Sequence, residues 1–467
     1  MITEVEGRIA DALESLLAEA GRRDRRTLVS FTTAVGDCDP NAIVFGSRRA
    51  GDRWFCWEQP DRDGFTLAGL GTAHEVISRG EDRFADVVGD CAEVARDRLA
   101  DEPAGMPAGV GPVWTCGFAF AADGGTTSRW ASFPPALVTL PELSIAQVGG
   151  DAYLTLAAVV SPGDDPDDAM SRLRSRVASL RETTLPLLEP HPTGETHVRS
   201  VRPPGDFEGA VAQAVERIRS GGLKKIVLAR EVEVEAPSAH DPAAVYGALR
   251  ELFPSCFCFC VGTPEAAFLG ASPELLVRRS GAVAATVALA GSTRRSADPA
   301  VDDHLGEQLL RSDKDRSEHE IVARRIERTL RPHSVWVEAA DEPGLVRVAN
   351  IQHLATPIHA QLTEPRSAVE LAGLLHPTPA VGGEPRGAAV SAIPELEGMD
   401  RGWYAGAIGW MDATEDGEFC VGVRTALLRD RTARLYAGNG IVGASDPAAE
   451  LAETEIKLEA LLPLLAG

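Results

Sequence analysis

Two side chains in this sequence have the types and settings for acid–base chemistry. Lys225 opens the strand-like run Lys225-Ile226-Val227-Leu228-Ala229-Arg230, and a cation at the mouth of so apolar a strand is costly to keep unless it is paired or used. In a dry site desolvation disfavours the charged amine, and a neutral amine can serve as a general base that activates water. The ordinary alternative is a surface lysine snorkelling at a strand end. Downstream, in Phe268-Leu269-Gly270-Ala271-Ser272-Pro273-Glu274-Leu275-Leu276, Glu274 follows a proline and precedes an apolar pair. That setting keeps a carboxyl group protonated near neutrality, as a general acid.

Carboxylates recur at helical spacing farther on. Asp446 and Pro447 have the form of a cap and first residue of a C-terminal helix, on which Glu450, Glu453 and Lys457 share one face opposite Leu451, Leu458 and Leu462. The run Ser312-Asp313-Lys314-Asp315-Arg316-Ser317-Glu318-His319 adds another charged helical face. Each is ordinarily a solvated stripe. Together, Glu318, Glu450 and Glu453 could hold a hard divalent cation such as Mg²⁺, which takes oxygen ligands and completes its shell with water and substrate. Ala437-Gly438-Asn439-Gly440-Ile441-Val442-Gly443 reads as a glycine-rich loop suited to a carboxylate or phosphate, without the lysine-serine ending of a P-loop.

The elements that must position these residues are those of a mixed α/β (α+β type) fold, with large, mostly antiparallel sheets flanked by helices. Short apolar or alternating runs fill residues 29–160, as in Trp54-Phe55-Cys56-Trp57. A helix is expected after Pro166 to about residue 188, then a polar, proline-containing linker from Glu189 to Gly205. This divides a sheet-rich part, 1–190, from a catalytic region, 200–467. Asp206 reads as the cap of a helix with stripe Phe207, Val211, Val215 and Ile218. Strands are expected near 266–278, 282–290, 346–352, 404–411, 418–428 and 433–437, and helices over 302–330 and 447–464.

The composition narrows the function. A net charge of -23 argues against nucleic acid and anionic membrane as partners. No apolar run approaches the roughly 18 residues needed to cross a bilayer, and the acidic start, with Ile2, Val5, Ile9, Leu13 and Leu16 at helical spacing, reads as an amphipathic helix packed on the body. A cytoplasmic protein is expected. The eight cysteines show no disulfide framework; Cys256, Cys258 and Cys260 fall on one strand face, with Phe257 and Phe259 on the other, and read as core packing.

The order of motifs closely resembles the chorismate-utilising enzymes, and within them the isochorismate synthases. The matching segments are Lys225–Arg230, Gly270–Glu274, Leu289-Ala290-Gly291-Ser292, Ser312–Asp315 with Glu318-His319, His353-Leu354-Ala355-Thr356-Pro357, His376-Pro377-Thr378-Pro379, Trp403-Tyr404-Ala405-Gly406, Val423-Arg424-Thr425, Ala437–Gly440 and Glu450–Lys457. The variable half is matched less specifically, through Trp57–Asp63 and Leu67–Gly71.

That resemblance implies an anthranilate synthase component I-like fold. It implies Mg²⁺ held by Glu318 and Glu450, with Glu453 ligating directly or through water, and chorismate as substrate. Arg424 and Tyr404 match positions that bind the enolpyruvyl carboxylate, a task suited to a guanidinium fork. Gly291, Ser292, Gly438 and Lys457 match substrate- or metal-proximal positions. His353 matches a ring-facing one, although taken alone it reads as a satisfied core histidine.

Lys225 stands where ammonia-using relatives typically lack a lysine, and Ala290 where aminodeoxychorismate synthases often carry a nucleophilic one. The implied reaction is water attack at ring C2 with Lys225 as base, and loss of the C4 hydroxyl with Glu274 as acid. It is an isomerase reaction leading toward menaquinone or siderophore biosynthesis, by a monomer without a glutaminase subunit. Salicylate synthase, which goes on to eliminate pyruvate, is the alternative; a non-catalytic chorismate-binding protein is a further one. Ala288 departs from the proline common among relatives.

Overall fold

The computed structural model describes residues 2–62, 64–189, 194–348 and 350–467, with the backbone alone at 2–10. Its alternating apolar runs pair into two sheets of thirteen and ten strands among the described residues. Neighbours run antiparallel apart from Thr27–Val35, which lies parallel to Leu99–Asp101. The main core draws on both sheets, with Phe55, Trp57 and Phe268 from one and Trp114, Phe118 and Phe419 from the other. In the strand Phe257–Gly262 the period of two decides which core each side chain enters. Phe257 and Phe259 join the main core, whereas Cys258 and Cys260, with Cys256 just before them, join a second core together with the helix Pro242–Leu252. The eight cysteines are free and buried.

Strands on either side of residues 190–200 share both sheets. Trp54–Glu58 pairs with Phe257–Gly262, and Val113–Phe118 pairs with Ala407–Asp412. The helix Ile2–Ala20 packs through Leu13, Leu17 and Ala20; the side chains of Ile2, Val5 and Ile9, like Asp63 and residues 190–193 of the linker, lie outside the described residues.

Several boundaries differ from expectation for local reasons. The helix after Asp165 stops at Ala178, well short of residue 188, because Thr183-Thr184 and Pro186 disfavour further helix. Asp206 is not a cap: Pro203 occupies that place, Pro204 starts the helix, and Asp206 sits in its first turn, accepting from Arg202. The expected helix 302–330 divides into Pro299–Arg311 and Asp313–Leu330, since Ser312 is extended and its hydroxyl caps the second helix. The C-terminal helix ends at Leu458, and a short one follows at Leu462–Ala466. Residues 346–352 span the end of Gly344–Arg347 and the start of Ile351–Leu362, and the strand expected from 404 begins at Ala407. The glycine-rich segment from Ala437 is not a loop; it ends the strand Thr432–Ile441.

Two further divisions matter most. The segment 266–278 is two strands, Ala267–Ser272 in the larger sheet and Leu275–Ser280 in the smaller; the segment 418–428 likewise divides into Gly417–Val421 in the smaller sheet and Thr425–Arg429 in the larger. Within these two segments the chain passes from one sheet to the other, at Pro273-Glu274 and at Gly422-Val423-Arg424.

Candidate active site

The links at Pro273-Glu274 and Gly422-Val423-Arg424 lie side by side. Glu274 O accepts from Val421 N at 3.0 Å, Arg424 O accepts from Ala271 N at 3.2 Å, and Ser272 Oγ donates to Val421 O at 2.6 Å. Arg424 takes a left-handed backbone with φ of 54°, and Ala405, joined to the same link by its N–H to Gly422 O, has φ of 59°. Each costs about 1–2 kcal/mol for a residue with a side chain, and such strain collects at functional sites. Here the strained links accompany the placement of Glu274, Arg424 and Tyr404 in the wall of one pocket.

A bulge supplies the next wall. The strand Val283–Arg294 shifts register against Ile351–Leu362 between Ala290 and Ser292, where Gly291 has φ of 76°, the left-handed geometry that a bulge glycine permits. Beyond it, Ser292 Oγ donates to Glu453 Oε1 at 2.8 Å. His353, the register partner of Ser292, has Nε2 3.5 Å from Arg424 Nη2. Burial, with Arg424 and Lys457 nearby, lowers the His353 pKa to about 3, so its ring is neutral.

Helices Asp313–Leu330 and Pro447–Leu458 close the remaining side, and here the structure resolves the charged stripes into pairs. Lys225 Nζ lies 2.9 Å from Glu318 Oε1, Lys314 Nζ 2.9 Å from Glu450 Oε1, and Lys457 Nζ 2.7 Å from Glu453 Oε1. The Lys225 contact brings charge to charge without a well-directed hydrogen bond. Asn439 ties the cluster together: its Nδ2 donates to Glu450 Oε2 at 3.2 Å and its Oδ1 accepts from Lys457 at 2.7 Å. Gly438 O accepts from Lys457 at 3.0 Å. Burial tends to raise the Glu453 carboxyl, yet Lys457 and Ser292 hold it down to about 2. For Glu274 burial prevails over the pull of Lys225, Arg424 and Lys457 and lifts it to about 7. Burial raises Tyr404 to about 12, so its phenol keeps its proton.

Glu274, Gly291, Ser292, Glu318, His353, Tyr404, Arg424, Gly438, Glu450, Glu453 and Lys457 thus line one pocket. Lys225 does not line it: wholly buried, it sits behind Glu318. The pair fits because position 440 has no side chain, as a Cβ on Gly440 would stand 2.0 Å from Glu318 Oε1 and 2.7 Å from Lys225 Cε. Gly440→Ala is therefore expected to disrupt the pair at a stability cost of about 1–3 kcal/mol, the usual range for overpacking. Thermal denaturation with activity on the folded fraction checks this; unchanged activity would show that the close approach is dispensable.

Sequence reasoning gave no role to Lys314, Asp315, Asn439 or Val381, although all line or brace the pocket. Lys314, Asp315 and Asn439 fall inside the motifs quoted above, whereas Val381 lies outside them. Among the described residues, no three carboxylate, imidazole or thiol side chains already stand grouped as metal ligands. Each glutamate is instead drawn to its lysine.

Fold and pocket together define a chorismate-binding enzyme: the family model described as "Chorismate binding enzyme" matches residues 15–466, and the chain belongs to that family. The salicylate biosynthesis isochorismate synthase of Pseudomonas aeruginosa is 35% identical over 454 residues, covering 97% of this chain and 93% of that protein. The isochorismate synthase MenF of Bacillus subtilis is 30% identical over 472 residues, covering 100% and 99%. The solved structure of MenF, the menaquinone-specific isochorismate synthase from Escherichia coli, matches with a TM-score of 0.79 at 26% identity, over 98% of this chain and 99% of that one.

Proposed function

We propose that this protein is an isochorismate synthase that interconverts chorismate and isochorismate. The observation that carries the reading is the buried acid Glu274 in the wall of a pocket that Lys225 backs through Glu318, with Ala290, rather than a nucleophile, also in that wall. Arg424 and Tyr404 receive the enolpyruvyl carboxylate, and the neutral His353 ring offers a face to the cyclohexadiene. As the neutral amine, Lys225 takes a proton from the water that adds at C2, the double bonds shift, and Glu274 gives its proton to the departing C4 hydroxyl, which leaves Lys225 protonated and Glu274 ionised until solvent resets both. One water enters and one leaves. Glu318 holds Lys225 through Oε1, and its second carboxylate oxygen could ligate a cation without parting the pair.

The donor set suits Mg²⁺, since Glu318, Glu450 and Glu453 bring only carboxylate oxygens to one pocket. When bound there, the ion supplies charge neutralisation for the ring carboxylate. Lys314 and Lys457 balance Glu450 and Glu453 in its place. Glu450→Gln is expected to raise the Mg²⁺ concentration for half-activation by at least the roughly tenfold that loss of a supporting partner costs, and calorimetric Mg²⁺ titration measures it. An unchanged Mg²⁺ affinity would remove Glu450 from the metal site.

The function is tested from both ends, with chorismate in one reaction, isochorismate in the other, and pyruvate followed alongside. Convergence on one ratio without pyruvate supports the synthase. Stoichiometric pyruvate with salicylate would move the protein to the salicylate synthases, and no change of chorismate would leave a binding protein.

A further inference from the structure

Behind the pocket wall lies a buried ion pair that the reaction as written does not use. Arg401 and Glu397 are nearly inaccessible to solvent. Arg401 Nη1 donates to Val381 O at 2.8 Å, Nη2 donates to Val227 O at 2.9 Å, and Nε donates to Glu397 Oε2 at 3.0 Å. Glu397 Oε1 also accepts from Ala229 N at 2.7 Å. The guanidinium lies over two rings, its Cζ 4.3 Å from the centroid of Phe120 and 5.8 Å from that of Tyr404.

These contacts join separate parts of the pocket. Val227 and Val381 both line it, the first on the strand that begins at Lys225 and the second in the turn that precedes Gly383-Glu384. Tyr404 lies three residues beyond Arg401, and its N–H donates to Arg401 O. On its edge opposite Thr432–Ile441, between the segments paired with His197–Ser200 and with Gly383-Glu384, Lys225–Glu235 has no strand beside Ala229 among the described residues, and the Glu397 carboxylate takes that place. A planar fork with fixed donor directions can bridge two carbonyls and a carboxylate at once, which a lysine cannot.

We infer that Arg401, seated by Glu397, is a positioning residue that sets the strand carrying Lys225 in register with Val381 and Tyr404 across the pocket. It touches neither Glu318, Glu450 nor Glu453 in the hydrogen bonds of the structure. The inference rests on the isochorismate synthase reading for its reaction but not for its geometry.

The test separates positioning from simple stabilisation. Removing Arg401 alone would strand a buried carboxylate, whereas replacing both partners of a buried ion pair by apolar side chains often preserves folding. The double variant Arg401→Met with Glu397→Leu keeps a packed interior but cannot bridge Val227 and Val381. Arg401→Lys keeps the charge and loses the fork, and it decides the question alone should the double variant be insoluble. Both are expected to lower kcat for chorismate by about 10- to 100-fold per folded molecule, the scale of a small misplacement of reacting groups. Mg²⁺ affinity should stay unchanged. Chorismate binding, read by calorimetry, should weaken in parallel, which keeps the inference decidable even if the wild type shows no turnover and the synthase reading falls. A folded variant with wild-type kcat, KM and chorismate affinity would reduce the pair to a structural role and overturn the inference.

Discussion

Lys225→Ala is expected to lower kcat by about 10²- to 10⁴-fold, the range attributed to general-base catalysis, while chorismate and Mg²⁺ still bind. Lys225 is wholly buried behind Glu318 and does not line the pocket, whereas Arg424 and Tyr404, the proposed carboxylate anchors, do. The substitution therefore removes the base and leaves the substrate contacts. It also strips Glu318 of its cation, and breaking a buried pair costs about 3–5 kcal/mol, so circular dichroism must show that the variant is folded before its rate is read. Lys225→Met, closer in volume, separates loss of the amine from loss of packing. Near wild-type kcat in either folded variant would end the water-activation role. Loss of substrate binding equal to the loss of rate would instead make Lys225 an anchor.

Glu274→Gln is expected to cost about 10²- to 10⁴-fold in kcat as well, with Mg²⁺ affinity intact, because Glu274 stands on the link beside that of Arg424 and is not one of the three glutamates paired with a lysine. It carries a pH signature. Burial lifts the Glu274 carboxyl to about 7, so the protonated form needed to expel the C4 hydroxyl is loaded below that pH and lost as pH rises through it. The wild-type kcat/KM for chorismate, which reports the free enzyme, should decline on the alkaline side near pH 7, and the residual rate of Glu274→Gln should lack that decline. A variant that kept the decline, or that lost Mg²⁺ binding, would take the acid role away from Glu274.

Much of this protein can be read before any coordinates. The alternation around Phe257 to Cys260 sends one set of side chains to each face of a strand, and it does so in the structure. The spacing of Glu450, Glu453 and Lys457 places all three on the pocket side of one helix. Such patterns are local: side-chain direction follows from backbone period alone, and motif order needs no folding to be recognised.

What pattern alone did not contain is where the chain changes sheet. Residues 266–278 and 418–428 each read as one apolar strand, because strands in either sheet are buried on similar terms and look alike in sequence. Only the pairing of Leu275–Ser280 with Gly417–Val421, and of Ala267–Ser272 with Thr425–Arg429, brings Glu274 and Arg424 onto adjacent links. The same holds for charge. Lys225 meets Glu318 and Lys314 meets Glu450 across long stretches of chain, which packing between helices and sheet decides, whereas Lys457 and Glu453 are neighbours one turn apart on a single helix. The sequence by itself determined the class of elements, the faces of its helices and strands, and the family to which its motifs belong. Contacts between segments remote in sequence decided the depth of Lys225, its pairing with Glu318, the pairing of Lys314 with Glu450 and the reach of Arg401 to Val227 and Val381, and no local periodicity encodes those distances.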